Sequence, residues 1–315
     1  MSIGVALHPG QTGNAVDGVV AEAKRAEAAG LASVWLGQRF DYDAIGLAGL
    51  VGREAPGLTV GTSAVPIFGR HPILVASQAQ TAQAATHGRF QLGLALGARS
   101  FVEPVFGVPY DRPVTRLAEF LTVLRSLTET GTADFHGETL TAAPPMPAAV
   151  PGAEPAVPLL VAAMGPRALR VTGELGDGTL PFLAGPRALG EHIVPAITAA
   201  AASAGRPAPR VIALLPGVVT GDVEAAREAA AQQFAFYDRI PSYQRVVALE
   251  GAAKAAELLV AGDEEAVAAG VRRYFDAGAT EVVLTQTGLT GPADQARTWR
   301  VLGDLAGASA SAAAG

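Results

Sequence analysis

The chain alternates short apolar runs with longer helical stretches, and this alternation constrains the fold more than any other feature. The first apolar run, residues 3–7, is followed by apolar residues at helical spacing over 16–29 and by the helix stop signal Gly30. Eight such units occur, and their strands are apolar enough to be buried on both faces of a parallel sheet. The pattern predicts a (β/α)8 TIM barrel, with an open doubly wound sheet as the alternative.

The alternation locates each predicted element by residue number. The predicted strands comprise residues 3–7, 33–36, 58–67, 89–96, 158–163, 178–182, 210–219 and 281–285. The predicted helical regions comprise residues 16–29, 44–54, 73–86, 114–130, 167–175, 186–204, 223–260, 264–277 and 292–305.

A length of 315 residues suits one large α/β domain, which we place at residues 1–306. Residues 133–158 are too rich in proline for a helix, so we expect an insertion between the fourth and fifth units with a hairpin around Gly137. Residues 307–315 carry no core-forming side chains, and we expect a disordered tail there.

Composition excludes several classes of protein. The chain has no cysteine, which rules out disulfides, thiolate metal sites and a cysteine nucleophile. A net charge of −6 argues against a nucleic-acid partner. No apolar run approaches the roughly 20 residues that span a bilayer, and the first residues do not resemble a secretion signal. We therefore expect a cytoplasmic protein whose partner is a small-molecule substrate.

Common catalytic motifs are absent as well. No phosphate-binding P-loop, dinucleotide fingerprint or serine-hydrolase elbow is present, and the five histidines are scattered, so nothing argues for a metal. The predicted strand ends carry few carboxylates, which disfavours a glycosidase-type pair of acids. Strand ends rich in glycine and apolar residues better suit an organic cofactor that carries the chemistry itself.

Two glycine-bearing strand ends are the strongest candidates for such a site. Gly97 ends the run at 92–97, where a bare backbone can lie against a flat ring. Gly165 and Pro166 stand where a strand turns into a helix, whose free N–H groups could receive an anion. The alternative is that both glycines only make tight turns.

At these same residues the sequence resembles the luciferase-like monooxygenase superfamily. One matching stretch is LTVGTSAVPIFGRHPILVASQAQTAQAATHGRFQLGLALGA, residues 58–98. A second is VPLLVAAMGPRALRVTGELGDGTLPFLAGP, residues 157–186. Within the superfamily, the sequence is most similar to the branch that depends on the deazaflavin coenzyme F420.

The resemblance implies a bacterial luciferase-like barrel that holds an isoalloxazine-like ring at the C-terminal ends of its strands, and a homodimer. It also implies a non-proline cis peptide bond at Ser63–Ala64, behind the ring. The cofactor-binding residues that it implies, with the two neighbouring arginines that could meet an anionic tail, are Ser63, Ala64, Leu96, Gly97, Ala98, Arg99, Ala163, Met164, Gly165, Pro166 and Arg167.

The sequence departs from the family pattern in two places, each a pair of adjacent residues. Gln38 and Arg39 stand where many members carry Asp or His, and Ala98 and Arg99 stand where sugar-phosphate dehydrogenases carry Glu. Sugar-phosphate oxidation is therefore disfavoured, and the candidate catalytic residues are His8, Gln38 and Arg39.

The predicted function is hydride transfer between F420 and a small organic substrate. Two alternatives remain open. One is an FMN-dependent monooxygenase that works with a partner reductase, and the other is a cofactor-free binding or regulatory barrel.

Overall fold

A computed structural model describes residues 1–8 and 13–314. Its strands are β1 (Ser2–Leu7), β2 (Ser33–Leu36), β3 (Thr59–Thr62), β4 (Val65–Pro66), β5 (Phe90–Ala95), β6 (Phe135–His136), β7 (Thr141–Ala142), β8 (Leu159–Val161), β9 (Gly178–Thr179), β10 (Arg210–Val219), β11 (Val260–Gly262) and β12 (Glu281–Thr285). Parallel pairing runs in the order β1, β2, β3, β5, β8, β9, β10, β12 and back to β1. This closed eight-position barrel confirms the predicted fold and excludes the open sheet.

Helices surround the barrel. They are α1 (Ala15–Ala28), α2 (Ala44–Glu54), α3 (Pro72–Ala85), α4 (Arg99–Phe106), α5 (Pro113–Thr130), α6 (Pro166–Leu175), α7 (Pro186–Ala188), α8 (Val194–Ser203), α9 (Val223–Phe234), α10 (Pro241–Glu250), α11 (Glu264–Asp276) and α12 (Pro292–Ala314). Side-chain caps satisfy free N–H groups at several starts: Asn14 accepts from Val16 N, and Asp43 accepts from Gly46 N. A single π turn joins α7 to α8.

Four segments differ from the prediction. The predicted strand at residues 58–67 is divided at Ser63–Ala64 into β3 and β4. Residues 223–260 are not one helical region, because α9 and α10 are separated by a 3-10 turn and the short parallel strand β11 pairs with β10. Helix α4 was not predicted. The last helix continues to Ala314, through residues for which composition predicted disorder, because alanine has the highest helix propensity and extends an existing helix without new nucleation.

The interior of the barrel is filled by six side chains that form one buried cluster. They are Trp35, Leu160, Leu180, Ile212, Leu214 and Val283. The indole is the largest of them, and a Cβ at Gly61 on the neighbouring strand would lie 2.3 Å from its ring. The glycine therefore makes room for the tryptophan, and the filled interior leaves a ligand only the two ends of the barrel.

A buried polar network closes the N-terminal end of the barrel. Glu281, 2% exposed at the start of β12, accepts hydrogen bonds from the Ser33 hydroxyl at 2.5 Å and the Trp35 indole N–H at 3.0 Å. Its other oxygen pairs with the Arg210 guanidinium at 2.8 Å, and that guanidinium also donates to Gln91 Oε1. Each carboxylate oxygen thus has a partner, as a buried charge requires.

The insertion between the fourth and fifth units carries the hairpin β6–β7, which spans the predicted turn at Gly137. The buried Glu119 of α5 holds this hairpin by accepting four hydrogen bonds. They come from Glu138 N, Thr139 N, Thr139 Oγ1 and Leu140 N. Burial acts to raise the pKa of Glu119, but the hydrogen bonds from Thr139 and its neighbours lower it overall.

Two absences apply to the described part of the chain. None of its helices is long and apolar enough to span a membrane. It also contains no group of three or more His, Asp or Glu side chains arranged to bind a metal ion.

Candidate active site

The predicted site residues all lie at the C-terminal ends of the barrel strands, which we call the mouth of the barrel. His8 follows β1, Gln38 and Arg39 follow β2, and Ser63–Ala64 separates β3 from β4. The segments 96–99 and 163–167 follow β5 and β8, which are neighbouring strands of the barrel. The fold therefore places at one end of the barrel residues that are up to 159 positions apart in the chain.

His8 lies exposed at the mouth, next to the β2–α2 loop. Desolvation by the surrounding protein lowers its pKa, and the positive charge of Arg39 lowers it further. The imidazole is therefore neutral at pH 7, with one nitrogen able to donate and the other able to accept.

Gln38 uses all of its amide hydrogen-bonding capacity within the protein. Its Nε2 donates to the carbonyls of Arg39 and Tyr42, each at 2.6 Å. Its Oε1 accepts from Ala44 N at 3.1 Å and from Arg70 Nη2 at 3.0 Å. The structure thus shows Gln38 as a positioning residue for the loop, while its predicted catalytic role stays a prediction.

Arg39 is held by a neighbouring carboxylate. Its Nε and Nη2 donate to the two oxygens of Asp41, each at 3.1 Å, and the pair is exposed to solvent. The Arg39 guanidinium donates to Asp41, and its effect on His8 is electrostatic. Its predicted catalytic role also stays a prediction.

The peptide bond between Ser63 and Ala64 is cis, as the family resemblance implies. Both residues are half-buried, and Ala64 packs against the cluster that fills the barrel interior. This segment therefore forms the floor of the mouth between β3 and β4.

The β5 end is shaped by a left-handed glycine. Gly97 has φ +69° and its carbonyl accepts a hydrogen bond from the Tyr110 hydroxyl at 3.0 Å. Half-buried Leu96 and Ala98 flank it, and Ala98 caps α4 through its backbone. An exposed glycine thus lies at this strand end, and its predicted role in holding a cofactor stays a prediction.

Arg99, the first residue of α4, is already engaged by its own segment. Its guanidinium pairs with Glu103, donates to the Tyr110 carbonyl at 2.7 Å and lies 3.9 Å from Asp111. Its centre also lies 5.5 Å from the centroid of the Tyr110 ring. This arginine is therefore less available to an anionic ligand than its sequence position suggested.

The β8 end leads directly into the N-terminus of α6. Gly165 is the N-cap and Pro166 the first helical residue, so no side chain satisfies the N–H groups of the first turn. Buried Ala163 and half-buried Met164 precede them. Arg167 is exposed in that first turn, which leaves a positive helix end facing solvent.

Arg245 of α10 is a site residue that sequence reasoning missed. Its Nη2 lies 3.4 Å from the Met164 carbonyl, and a Cβ at Gly165 would be 2.8 Å from the same nitrogen. Among the described residues, neither Arg245 nor Arg167 forms an ion pair with a carboxylate. Two guanidiniums beside a helix N-terminus form a site with excess positive charge, which favours an anion.

Two aromatic groups on different loops flank the mouth, and both were missed. The first consists of Phe40, Phe101 and Phe106, which we call the outer aromatic wall. The second, which we call the inner aromatic wall, consists of Phe182, Phe234, Tyr237 and Tyr243. Each group includes residues that lie far apart in the sequence. The one local sign of them is a large apolar residue in a loop, such as Phe40.

The tyrosines of the inner aromatic wall keep their protons at neutral pH. Burial raises the pKa of Tyr243, and the adjacent Tyr237 hydroxyl raises it further. Burial also raises the pKa of Tyr237 itself. Within the described part of the chain, the Tyr243 hydroxyl forms no hydrogen bond to another protein group but is not fully buried, since the fully buried side-chain atom without a partner is Arg116 Nε.

The barrel, the cis peptide bond and the glycine-bearing strand ends agree with a comparison of sequence families. A profile of the luciferase-like monooxygenase family matches residues 1–301. The chain belongs to this family. Its family comprises oxidoreductases and monooxygenases.

Individual curated relatives match part of the chain. The phthiodiolone/phenolphthiodiolone dimycocerosates ketoreductase of Mycobacterium tuberculosis is 32% identical over 184 residues, which cover 54% of this chain and 46% of the relative. The chain spans only about half to three fifths of the length of the curated relatives it matches.

Solved structures share the whole barrel. An F420-dependent secondary alcohol dehydrogenase, solved with an F420–acetone adduct, superposes with a TM-score of 0.79 at 21% identity and covers 96% of this chain and 97% of its own. The oxygenating constituent of 3,6-diketocamphane monooxygenase from Pseudomonas putida, solved with FMN, gives 0.77 at 16% identity and covers 97% of each chain. At these identities the likeness shows the fold alone.

The residues at the mouth fit a flat cofactor that carries a phosphate. Gly97 presents bare backbone, and the N-terminus of α6 with Arg167 and Arg245 presents unbalanced positive charge. Deazaflavins and flavins both combine a planar ring with a phosphate group, so both meet these two requirements.

Proposed function

We propose that this protein transfers a hydride between coenzyme F420 and a small organic substrate. The observation that carries the proposal is the pair Arg167 and Arg245 at the N-terminus of α6, without a carboxylate partner among the described residues. The tail of F420 is longer and more anionic than that of FMN, so it gains more from this excess positive charge.

The residues of the mouth divide between the two ends of such a cofactor. When bound, F420 supplies the hydride donor or acceptor at C5 of its ring. Backbone at Gly97 and Ala98, together with Ser63 and Ala64, would hold the ring. The segment 163–167 and Arg245 would hold the phosphate.

His8 is the residue best suited to contact a substrate oxygen. Its neutral imidazole can donate or accept one hydrogen bond without bringing a charge into the mouth. Gln38 and Arg39 would support it indirectly, since the Gln38 amide fixes the β2–α2 loop and the Arg39 charge adds to desolvation in lowering the pKa of the imidazole.

Cofactor affinity tests the proposal directly. F420 binding is measured by quenching of its fluorescence, and FMN binding by titration under the same conditions. Tight F420 binding supports the proposal. Tight FMN binding without F420 binding would replace it with an FMN-dependent monooxygenase, and no binding of either would favour a cofactor-free barrel.

Replacing Arg245 tests the anion site itself. We expect Arg245→Gln to weaken F420 binding by about tenfold to a hundredfold, since a hydrogen bond to a charged group contributes about 1.5–3 kcal/mol. The matched control is Arg272→Gln, an exposed arginine on α11 outside the mouth, which should leave the dissociation constant unchanged. Equal affinities for both variants would show that Arg245 does not contact the cofactor.

A further inference from the structure

We propose that the outer aromatic wall, Phe40, Phe101 and Phe106, binds the apolar part of the substrate, and that the substrate is uncharged. The inference rests on the proposed function, because it places this substrate beside the cofactor-binding strand ends. It adds the chemical class of the substrate, which the function alone does not specify.

The wall bridges two loops over the floor of the mouth. Phe40 lies in the β2–α2 loop, whereas Phe101 and Phe106 belong to α4, which follows β5. Strand β3 lies between β2 and β5, so the three rings join segments that flank the end of β3, and a Cβ at Gly69, after β4, would lie 3.3 Å from the Phe106 ring. Ring centroids are 5.9 Å apart for Phe40–Phe101, 6.4 Å for Phe40–Phe106 and 6.1 Å for Phe101–Phe106.

Phe40 is 74% exposed although it contacts both other rings. An aromatic side chain left in water gives up the free energy that burial of its surface would release. A ligand placed against the wall would recover that free energy, and Gly97 and Ala98 lead directly into the helix that carries Phe101 and Phe106. The wall is therefore joined in the chain to the predicted cofactor-binding segment.

The charges around the wall favour an uncharged ligand. Every charged side chain of residues 38–43 and 97–112 already forms an ion pair. The pairs are Arg39–Asp41, Asp43–Arg70, Arg99–Glu103, Arg99–Asp111 and Arg112–Glu138. A carboxylate or phosphate on the substrate would have to displace one of these partners, whereas an apolar group displaces only water.

Two arginines without a carboxylate lie at another part of the mouth, whereas a third, Arg116, donates to the Thr139 carbonyl and lies over the Phe68 ring. Arg167 and Arg245 stand at the end of β8, on the far side of β5 from the β2–α2 loop. The mouth is thus divided into a region for an anion and a region for an apolar group. This division assigns the phosphate to the cofactor and the aromatic wall to the substrate.

Binding of a ketone series to the full-length protein, with saturating F420 and without it, tests the proposal. The probes are 2-butanone, 2-hexanone and 2-octanone, with octanoate as the charged counterpart, and affinity is measured by saturation-transfer NMR. We expect affinity to rise by up to about fourfold per methylene, and octanoate to bind more weakly than 2-octanone.

Three variants locate this effect. Phe40→Ala should weaken 2-octanone about tenfold with little change for 2-butanone, and Phe40→Leu should restore most of the affinity. Phe236→Ala, which removes another exposed phenylalanine outside the wall, should bind all probes like the unaltered protein. Because Phe40 is exposed, its replacement leaves the fold intact.

The proposal is wrong if octanoate binds as tightly as 2-octanone, or if the dependence on chain length is unchanged in Phe40→Ala. It is also wrong if Phe40→Ala alters the sedimentation of the protein but not ketone binding, since the wall would then be a contact between copies. Failure of the proposed function looks different. In that case neither cofactor binds, while ketone affinity still depends on Phe40.

Discussion

The two ends of the barrel differ in whether their polar groups have partners within the protein. At the N-terminal end, the buried Glu281 carboxylate is satisfied by Ser33, Trp35 and Arg210. At the mouth, the Tyr243 hydroxyl has no hydrogen-bond partner and Arg245 no carboxylate, among the residues described. Arg245 is exposed and the Tyr243 hydroxyl is not fully buried, so a ligand at the mouth can bind both groups without displacing a carboxylate or a side-chain partner.

The largest effect should follow from breaking the network at the N-terminal end. Glu281→Ala leaves the Arg210 guanidinium without its carboxylate and the buried Ser33 hydroxyl without its acceptor, while the Trp35 indole N–H keeps only the Ser33 oxygen. We expect the free energy of unfolding to fall by about 3 kcal/mol, measured by urea denaturation followed by tryptophan fluorescence. Cofactor affinity should be unchanged in the protein that remains folded.

The control for Glu281 is an exposed ion pair. Glu264→Ala removes the partner of Arg297 on the surface, where solvent screens both charges, and should change the unfolding midpoint little. If the two variants lose the same free energy of unfolding, the buried network around Glu281 does not stabilise the protein more than a surface ion pair does.

Glu119 shows that a carboxylate outside the mouth is satisfied even at the same end of the barrel as the site. Its four hydrogen bonds lower its pKa, so its contribution to stability is present above the unfolded-state pKa of about 4.3 and is lost as the pH falls below it. Glu119→Gln replaces one acceptor oxygen with a donor that faces N–H groups. We expect a loss of about 2 kcal/mol at pH 7.

The pH dependence separates this role from simple packing. The difference in unfolding free energy between Glu119→Gln and the unaltered protein should shrink as the pH falls below the unfolded-state value of about 4.3 and the native carboxyl becomes protonated. Glu129→Gln, on the same helix but exposed, should show a much smaller difference at both pH values. A loss for Glu119→Gln that is independent of pH would contradict the assigned hydrogen bonds.

The sequence predicts the strands at 33–36, 210–219 and 281–285 to the residue, because continuous apolar runs between turn signals are specific to buried strands. It misses α4, since this helix has only eight residues and contains Pro104. It also misses β11, whose three residues adjoin a stretch rich in alanine and leucine.

The site is predictable only where it follows the strand ends. Gly97 and Gly165 are predicted because glycine at the end of a strand indicates a turn or an exposed backbone. The cis bond is predicted from the family resemblance. Arg245 meets Met164 across 81 positions of the chain. No local pattern predicts that contact, because the packing of α10 over the mouth decides which of its side chains reach it.

The smallest effect on stability should come from a substitution in the inner aromatic wall. It tests whether a hydroxyl at the mouth contributes less to stability than one that is hydrogen-bonded within the protein. Tyr243→Phe removes a hydroxyl that has no partner among the described residues, so the free energy of unfolding should stay within about 0.5 kcal/mol. Tyr42→Phe is the matched control, because the Tyr42 hydroxyl donates to the Gly37 carbonyl at 2.8 Å. That variant should lose about 1 kcal/mol.

Ligand binding then shows whether the Tyr243 hydroxyl contacts a ligand at the mouth or has no role in binding. If a ligand at the mouth satisfies Tyr243, Tyr243→Phe should weaken F420 or ketone binding by about tenfold while its stability is unchanged, whereas Tyr42→Phe should show the reverse. Equal stability losses in the two variants would mean that the Tyr243 hydroxyl is already satisfied within the folded chain. The contrast between the two ends would then rest on the arginines alone.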